Sequence, residues 1–384
     1  MATTLRVTLL NWRDIRNPLA GGAEVHIWEV FSRLALRGWK IAAISAGFDA
    51  ACRSERVDGI DVHRCGGPYS YSLCLPLAYR KLLGQDPPDI VVDFLNKLPL
   101  FAPWYAKRPV VCFAHHLFGG DAASGEVGAA AGLVVRSLEA LIPLVYKNTY
   151  FLVGSQSTVN ELVARGIRAK MITIIPYGVD IEKYYPGPKS PNPFLLYVGR
   201  VKRYKGIDHL IRLVPSLLQR FPQLEVHIAG KGDALPELQD LARKLPVERN
   251  VTFHGFVSEA EKRALYQQAW ATFFLSCKEG FGLTVAEAAL CMTPTVAYNV
   301  PGLCDAVTDQ TTGLLVPYGD TEQLEAAISL ILEDGSKRHE LAGAAFQRYS
   351  ARSWETVADQ MAGTLVELAR RGDDQDDGNG EIPF

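Results

Sequence analysis

Short apolar runs alternate with amphipathic stretches along almost the whole chain. That is the pattern of parallel strands joined by crossover helices. In the first half the apolar runs are 6–10, 40–45, 90–94, 110–114, 150–154 and 171–175. After Gly22, Val25, Ile27, Trp28, Phe31, Leu34 and Ala35 recur at period 3.6, and Gly38 supplies a stop signal. A second series of apolar runs follows at 194–198, 225–229, 251–254, 271–275, 295–298 and 313–316. The two series are separated by 182–193, which holds four prolines and a glycine in twelve residues and reads as a stiff, non-helical connector. The pattern predicts an α/β protein of two doubly wound parallel-sheet domains, 1–182 and 183–349, facing each other across a cleft. Ligands of such sheets bind beyond the carboxyl ends of the strands. A long helix is expected over 350–371, and the acidic, glycine-containing stretch 372–384 is expected to be disordered.

Composition narrows the class. Of 384 residues, 48% are hydrophobic and 21% charged, which fits a globular protein. A formal net charge of −2 gives no general case for nucleic-acid binding. The halves differ: residues 1–182 carry 19 Lys/Arg against 16 Asp/Glu, and the remainder carries 21 against 26. The seven cysteines form no C-x-x-C pair, which fits reduced thiols in a cytoplasmic protein. Residues 1–10 read as a first strand and not as a signal peptide, and no window reaches 18 uncharged apolar residues.

Four places carry candidate chemistry. Gly21-Gly22 follows the first strand and opens the first helix, where bare amides and a positive dipole end could meet an anion. Arg200, Lys202, Arg203 and Lys205 stand between Gly199 and Gly206 after the first strand of the second series. Arg200 and Lys205 are the candidates for a diphosphate, and Lys202 and Arg203 read as surface charge. His115 ends an apolar strand at the ligand edge and could donate to a sugar hydroxyl, with His116 beside it. Glu279 and Glu287 bracket a glycine-containing turn that runs into a helix. Two partly buried carboxylates need hydrogen-bonding partners, and the hydroxyls of a polyol phosphate would serve. Gly230-Lys-Gly-Asp233 reads equally well as a turn, and Phe101, Trp104 and Tyr105 as core or interface.

Taken together these residues resemble the retaining glycosyltransferases of the GT-B fold, family 4. The resemblance rests on Gly-Gly-Ala-Glu at 21–24, His115, Ile-Pro-Tyr-Gly-Val-Asp at 175–180, Gly-Arg…Lys-Gly at 199–206 and Glu-x7-Glu at 279–287, in that order, and covers about residues 5–371. It implies two Rossmann-like domains, the first for the acceptor and the second for a nucleotide-activated sugar, a UDP-sugar by default. By resemblance, Arg200 and Lys205 hold the diphosphate and Gly22 touches the distal phosphate across the cleft. Glu279, Phe281, Gly282 and Leu283 line the sugar, Glu287 holds the ribose, and His115 contacts the transferred sugar. His116 is a candidate on the acceptor side, where relatives vary most. The last helix, around Trp354, is expected to return to the first domain. No cofactor is implied, and no Asp-x-Asp stands at a strand end to hold a metal.

Two rival readings are a nucleotide-sugar epimerase of the same architecture and a non-catalytic sugar-nucleotide binding protein. The dinucleotide fingerprint of a dehydrogenase is missing. The acceptor could be a glycan, a lipid-linked intermediate or a small molecule. The apolar, weakly cationic segment 133–147 could rest on an anionic membrane or lie buried.

Overall fold

The computed structural model describes residues 3–84, 86–95, 99–115, 137–277, 279–280 and 282–376. The chain divides into two compact units, 1–178 with 354–384, and 179–353. The sequence reading put the divisions at 182/183 and 349/350.

In unit 1, strands β1 (Arg6–Leu10), β2 (Lys40–Ala46), β3 (Ser54–Val57), β4 (Ile60–Cys65), β5 (Ile90–Leu95), β6 (Val110–Ala114), β7 (Tyr150–Val153) and β8 (Ile172–Ile174) form one sheet. Their order is β3-β4-β2-β1-β5-β6-β7-β8. All pairings are parallel except β3 with β4. Every residue of β5 is buried, as expected of a parallel strand covered on both faces. Strands β3 and β4 were missed from the sequence. They form a hairpin around Asp58-Gly59, whose φ angles of +49° and +84° are those of a type I′ turn. The signal was present as Asp-Gly between Val57 and Ile60, but the strands are short and mostly polar outward.

Helix α1 (Gly22–Leu36) buries Ile27, Trp28, Phe31 and Leu34 of the predicted stripe, while Val25 and Ala35 are half-buried. Other helices described in unit 1 include α2 (Tyr71–Leu83), α3 (Ile142–Val145) and α4 (Gln156–Ala164). The closing helix, Trp354–Asp376, also belongs to unit 1 and packs on α1. Its buried residues Trp354, Val357, Ala358, Met361, Leu365 and Ala369 recur at three- and four-residue spacing. Arg37, which caps the carboxyl end of α1, donates to Glu355 and Asp359 at 2.5 Å each. The helix runs five residues into the stretch expected to be disordered. Gly372 costs only about 1 kcal/mol in a helix, and no proline stops the backbone there. Residues 377–384 lie outside the described residues.

In unit 2, strands β9 (Phe194–Val198), β10 (Glu225–Ala229), β11 (Val251–Gly255), β12 (Ala271–Phe274), β13 (Thr295–Tyr298) and β14 (Gly313–Val316) form a parallel sheet ordered β11-β10-β9-β12-β13-β14. Helices α5 (Ile207–Arg220), α6 (Leu235–Lys244), α7 (Glu259–Gln268), α8 (Leu283–Leu290), α9 (Leu303–Ala306), α10 (Thr321–Glu333) and α11 (Gly335–Ser350) accompany it. Both sheets reverse strand order once, between β1 and β5 and between β9 and β12. Ligands of open α/β sheets bind at such switch points.

Candidate functional site

The switch point of unit 2 gathers most of the predicted donor residues. The chain leaves β9 through Gly199 and Arg200, makes a short 3-10 turn over Arg203–Lys205, and enters α5 at Gly206. Gly206 has φ +63°, and a Cβ there would lie 2.3 Å from the Leu275 carbonyl oxygen. Only glycine lets the first loop press this close to the end of β12. That approach brings Lys205 Nζ into an ion pair with Glu279 Oε1, both side chains largely buried. Lys205 Nζ also lies 5.1 Å from the Tyr204 ring centroid. The Arg200 guanidinium is exposed and donates to the Tyr204 hydroxyl at 3.2 Å, while Tyr197 donates to the Arg200 carbonyl at 2.8 Å. Among the described residues, no carboxylate lies in ion-pair range of Arg200. Lys202 and Arg203, by contrast, pair with Asp233 and Glu237 on the surface.

Gly282 caps α8, with Leu283 as its first residue. About one turn on, Glu287 accepts from Lys262 Nζ and from the Tyr266 hydroxyl, each at 3.1 Å. Burial raises the Glu287 pKa, and the Lys262 ammonium acts against that rise. Each carboxylate of Glu-x7-Glu therefore carries its own lysine. Lys262 and Tyr266 were not singled out from the sequence. They sit four residues apart on α7, a spacing too common in helices to have flagged them.

Unit 1 holds the other candidates. His115 follows β6 and is buried, with Nδ1 2.8 Å from the Tyr177 hydroxyl. His26 of α1 lies 5.6 Å from His115 and 4.7 Å from Tyr177, measured between ring centroids. It is fully buried, and burial depresses its pKa to about 3, so the ring is neutral. The sequence alone does not single out His26, which falls between the stripe residues Val25 and Ile27.

Gly22 is exposed at the start of α1. The expected anion-binding end is partly occupied from within, because the Gly21 N–H donates to Glu24 Oε2 at 2.7 Å. The preceding loop is anchored by a buried ion pair, Arg64 Nε to Asp14 Oδ2 at 2.7 Å, with Ser45 donating to the same oxygen. His116 and Phe281 lie outside the described residues. Of segment 133–147, the described part turns Ile142, Val145 and Tyr146 into the core, so its apolar side is largely consumed there. Gly230-Lys-Gly-Asp233 packs its backbone against Gly199 and Val201. All seven cysteines are free thiols. Among the described residues, no group of three His, Cys, Asp or Glu is placed to hold a metal ion. Among the same residues, no helix is long and apolar enough to cross a membrane.

Residues 20–183 match the Glycosyltransferase Family 4 model and residues 181–348 match Glycosyl transferases group 1. A glycogen synthase of Mycobacterium tuberculosis is 31% identical, the alignment covering 97% of this chain and 96% of that protein. Among solved structures, sucrose-phosphate synthase from Thermosynechococcus elongatus superposes with a TM-score of 0.79 at 21% identity, over 94% of this chain and 98% of that one. The Anabaena protein HepE, solved in complex with UDP, superposes with a TM-score of 0.75 at 22% identity, over 94% and 100%. With matched halves, a full-length relative and two doubly wound sheets, this chain belongs to the group 1, family 4 glycosyltransferases of the GT-B fold.

Proposed function

We propose that this glycosyltransferase moves a sugar from a nucleoside diphosphate sugar, UDP-linked by default, to a hydroxyl acceptor, with retention and without a metal ion. The observation that carries the reading is the gathering of Arg200, Lys205 and Glu279 at the β9/β12 switch point, with Glu287 on α8. Arg200 and Lys205 supply the positive charge for a diphosphate, a role a metal ion fills in other transferases. Glu279 accepts from sugar hydroxyls and Glu287 from the ribose. The UDP bound by HepE and the glucan chemistry named for the mycobacterial relative support a sugar-nucleotide donor and a sugar acceptor.

In the reaction, the acceptor oxygen attacks C1 of the sugar on the face from which the diphosphate departs. The C1–O bond breaks with its electron pair going to the β-phosphate oxygen, which takes the acceptor proton. No protein nucleophile is required. The cations act by stabilising charge as it develops on the leaving group, an effect on the order of 10²-fold per donor. His115 and Gly22 of unit 1 are assigned, by family resemblance, to the transferred sugar and the distal phosphate. His116 is assigned to the acceptor.

The test is an incubation of purified protein with a panel of UDP-, ADP- and GDP-sugars, with and without a glucan oligosaccharide, in excess EDTA. Transfer with the donor's anomeric configuration kept is expected. An epimer formed from donor alone would make the protein an isomerase. Loss of activity in EDTA, restored by Mg²⁺, would overturn the metal-free step.

A membrane-associated acceptor is favoured by one surface. On α2 and the residue before its cap, Tyr69, Leu73 and Leu77 are 100%, 80% and 72% exposed. Arg80 and Lys81 continue the same helix, and residues 66–84 contain no Asp or Glu. An apolar stripe ending in cations, on a segment without carboxylates of its own, suits an anionic lipid surface, whereas a second copy would set like charges against each other. Binding to phosphatidylglycerol vesicles at low salt, lost in Leu73→Glu/Leu77→Glu, is expected. Equal flotation of that variant, or a dimer in solution that it dissolves, would refute lipid contact.

A further inference from the structure

The contact between His115 and Tyr177 goes further than the family resemblance, which assigns no role to the side chain at 177. We infer that Tyr177 is a positioning residue. Its hydroxyl donates to His115 Nδ1, so that the imidazole proton resides on Nε2 and His115 works as a neutral hydrogen-bond donor, not as a base. The inference rests on the proposed role of His115 toward the transferred sugar.

The geometry is over-determined. Tyr177 is buried, and its oxygen stands 2.8 Å from Nδ1. Its ring fits only because residue 154 is glycine, since a Cβ there would lie 1.9 Å from the ring. On another side it meets the edge of His26, whose ring also approaches Phe113 at 5.1 Å and Trp354 at 5.8 Å. The next residue, Gly178, is held against Trp354, which a Cβ would approach to 2.4 Å. His115 is fixed in turn: it stacks on Phe94 at 6.0 Å, and its carbonyl accepts from Thr158 Oγ1 at 3.4 Å. Neither ring can rotate to exchange partners without displacing this cluster.

The direction of the proton follows from acidity. Burial raises the Tyr177 pKa, so the phenol keeps its proton and is a neutral donor. Imidazole nitrogen is a better acceptor than phenol oxygen, and the phenol O–H is a better donor than a neutral imidazole N–H, so O–H···Nδ1 is the favoured arrangement. A second proton on the ring would have to enter at Nδ1 and displace this donation, which disfavours the imidazolium. What remains is Nε2–H, suited to a sugar oxygen and unsuited to abstracting a proton.

The tautomer can be read without turnover, by ¹⁵N chemical shifts of histidine-labelled protein. His115 is expected to show a pyridine-type Nδ1 and a pyrrole-type Nε2, and Tyr177→Phe should move the two toward a mixed population. In the same variant kcat should fall about tenfold or more, the scale of a misplaced proton donor, with KM for the nucleotide sugar within about twofold. Its thermal midpoint should stay close to that of the parent. Protonated Nδ1 in the parent protein overturns the inference, and so does an unchanged His115 signature in Tyr177→Phe. Should that variant not fold, the parent spectrum alone still decides. If the protein transfers no sugar at all, the proposed function fails while the tautomer measurement stands on its own.

Discussion

Glu287 on α8 and Lys262 on α7 form an ion pair at 3.1 Å, and the second Glu287 oxygen is held by Tyr266. Lys262 also reaches Glu259 at 3.0 Å. The pair is therefore asymmetric: the lysine has a second carboxylate, while the glutamate relies on one cation. Glu287→Gln should leave folding within about 1 kcal/mol, since Lys262 keeps Glu259 and the amide still accepts from Tyr266. Lys262→Met strands a mostly buried carboxylate and should cost about 2 kcal/mol or more. If Glu287 also holds the ribose, Glu287→Gln should raise KM for the nucleotide sugar about tenfold, the loss expected for a hydrogen bond to a charged group. Urea unfolding and initial-rate kinetics on both variants check the two effects separately. Equal destabilisation by both would show that the pair is symmetric after all.

Lys205 and Glu279 pose a sharper question, because the predicted diphosphate cation is already paired with the predicted sugar-binding acid. Lys205→Ala should lower kcat about 10²-fold or more, as for loss of a charge-stabilising donor. Glu279→Gln frees the ammonium and removes a carboxylate from beside the diphosphate. UDP alone should then bind as tightly as in the parent or more tightly, while turnover falls. Calorimetric titration of UDP separates the roles, and weaker UDP binding by Glu279→Gln would count against the assignment.

Much of this arrangement is legible in the sequence, for physical reasons that differ by element. The buried strand β9 announces itself as an unbroken apolar run, and β5 as one interrupted only by Asp93, because a parallel sheet covered on both faces has little polar side to show. Lys205 and Glu279 each follow a strand at a glycine-marked turn, so their place at the ligand edge follows from topology. Their mutual pairing does not. It depends on how closely Gly206 lets one loop approach Leu275, a distance no periodicity encodes. His26 and Tyr177 escape the sequence for a related reason: one lies between stripe residues of the first helix, and the other stands within the motif 175–180 with no role marked for its side chain. Only the packed structure puts both rings beside His115. The tail of the last helix shows the opposite failure, where composition pointed to disorder and the backbone carries on as helix to Asp376.

His26 predicts acid lability in unit 1. Its pKa is depressed by burial to about 3 from an ordinary 6.5. Below pH 6.5 the unfolded chain takes up a proton that the folded one refuses, so stability present at neutral pH is lost as pH falls from about 6.5 toward 3. A shift of this size corresponds to at most about 4 to 5 kcal/mol across that window. His26→Phe carries no titratable group and should flatten the slope, whatever its effect on stability at pH 7. Thermal midpoints taken at half-unit intervals from pH 7 to pH 4 would show it. Identical slopes in parent and variant would mean that water reaches the ring.

Asp93 works in the other direction. It is fully buried on β5, where burial raises its pKa to about 6 against the bonds from the Tyr146 hydroxyl, at 2.7 Å, and the Ala102 N–H, at 3.3 Å. Between the ordinary carboxylate value near 4 and pH 6 the folded state holds a proton that the unfolded chain has released. The stability linked to Asp93 is therefore present at low pH and lost as pH rises through 6, by at most about 3 kcal/mol. Asp93→Asn keeps an acceptor for Tyr146 and Ala102 and cannot ionise. At pH 8 it should be more stable than the parent by about 1 kcal/mol, the full linkage reduced by the cost of seating an amide N–H₂ in that pocket. At pH 4.5, where the parent carboxyl is protonated, the advantage should vanish or reverse. Chemical denaturation at the two pH values decides it, and a variant less stable by the same amount at both would show that Asp93 does not change its charge across this range.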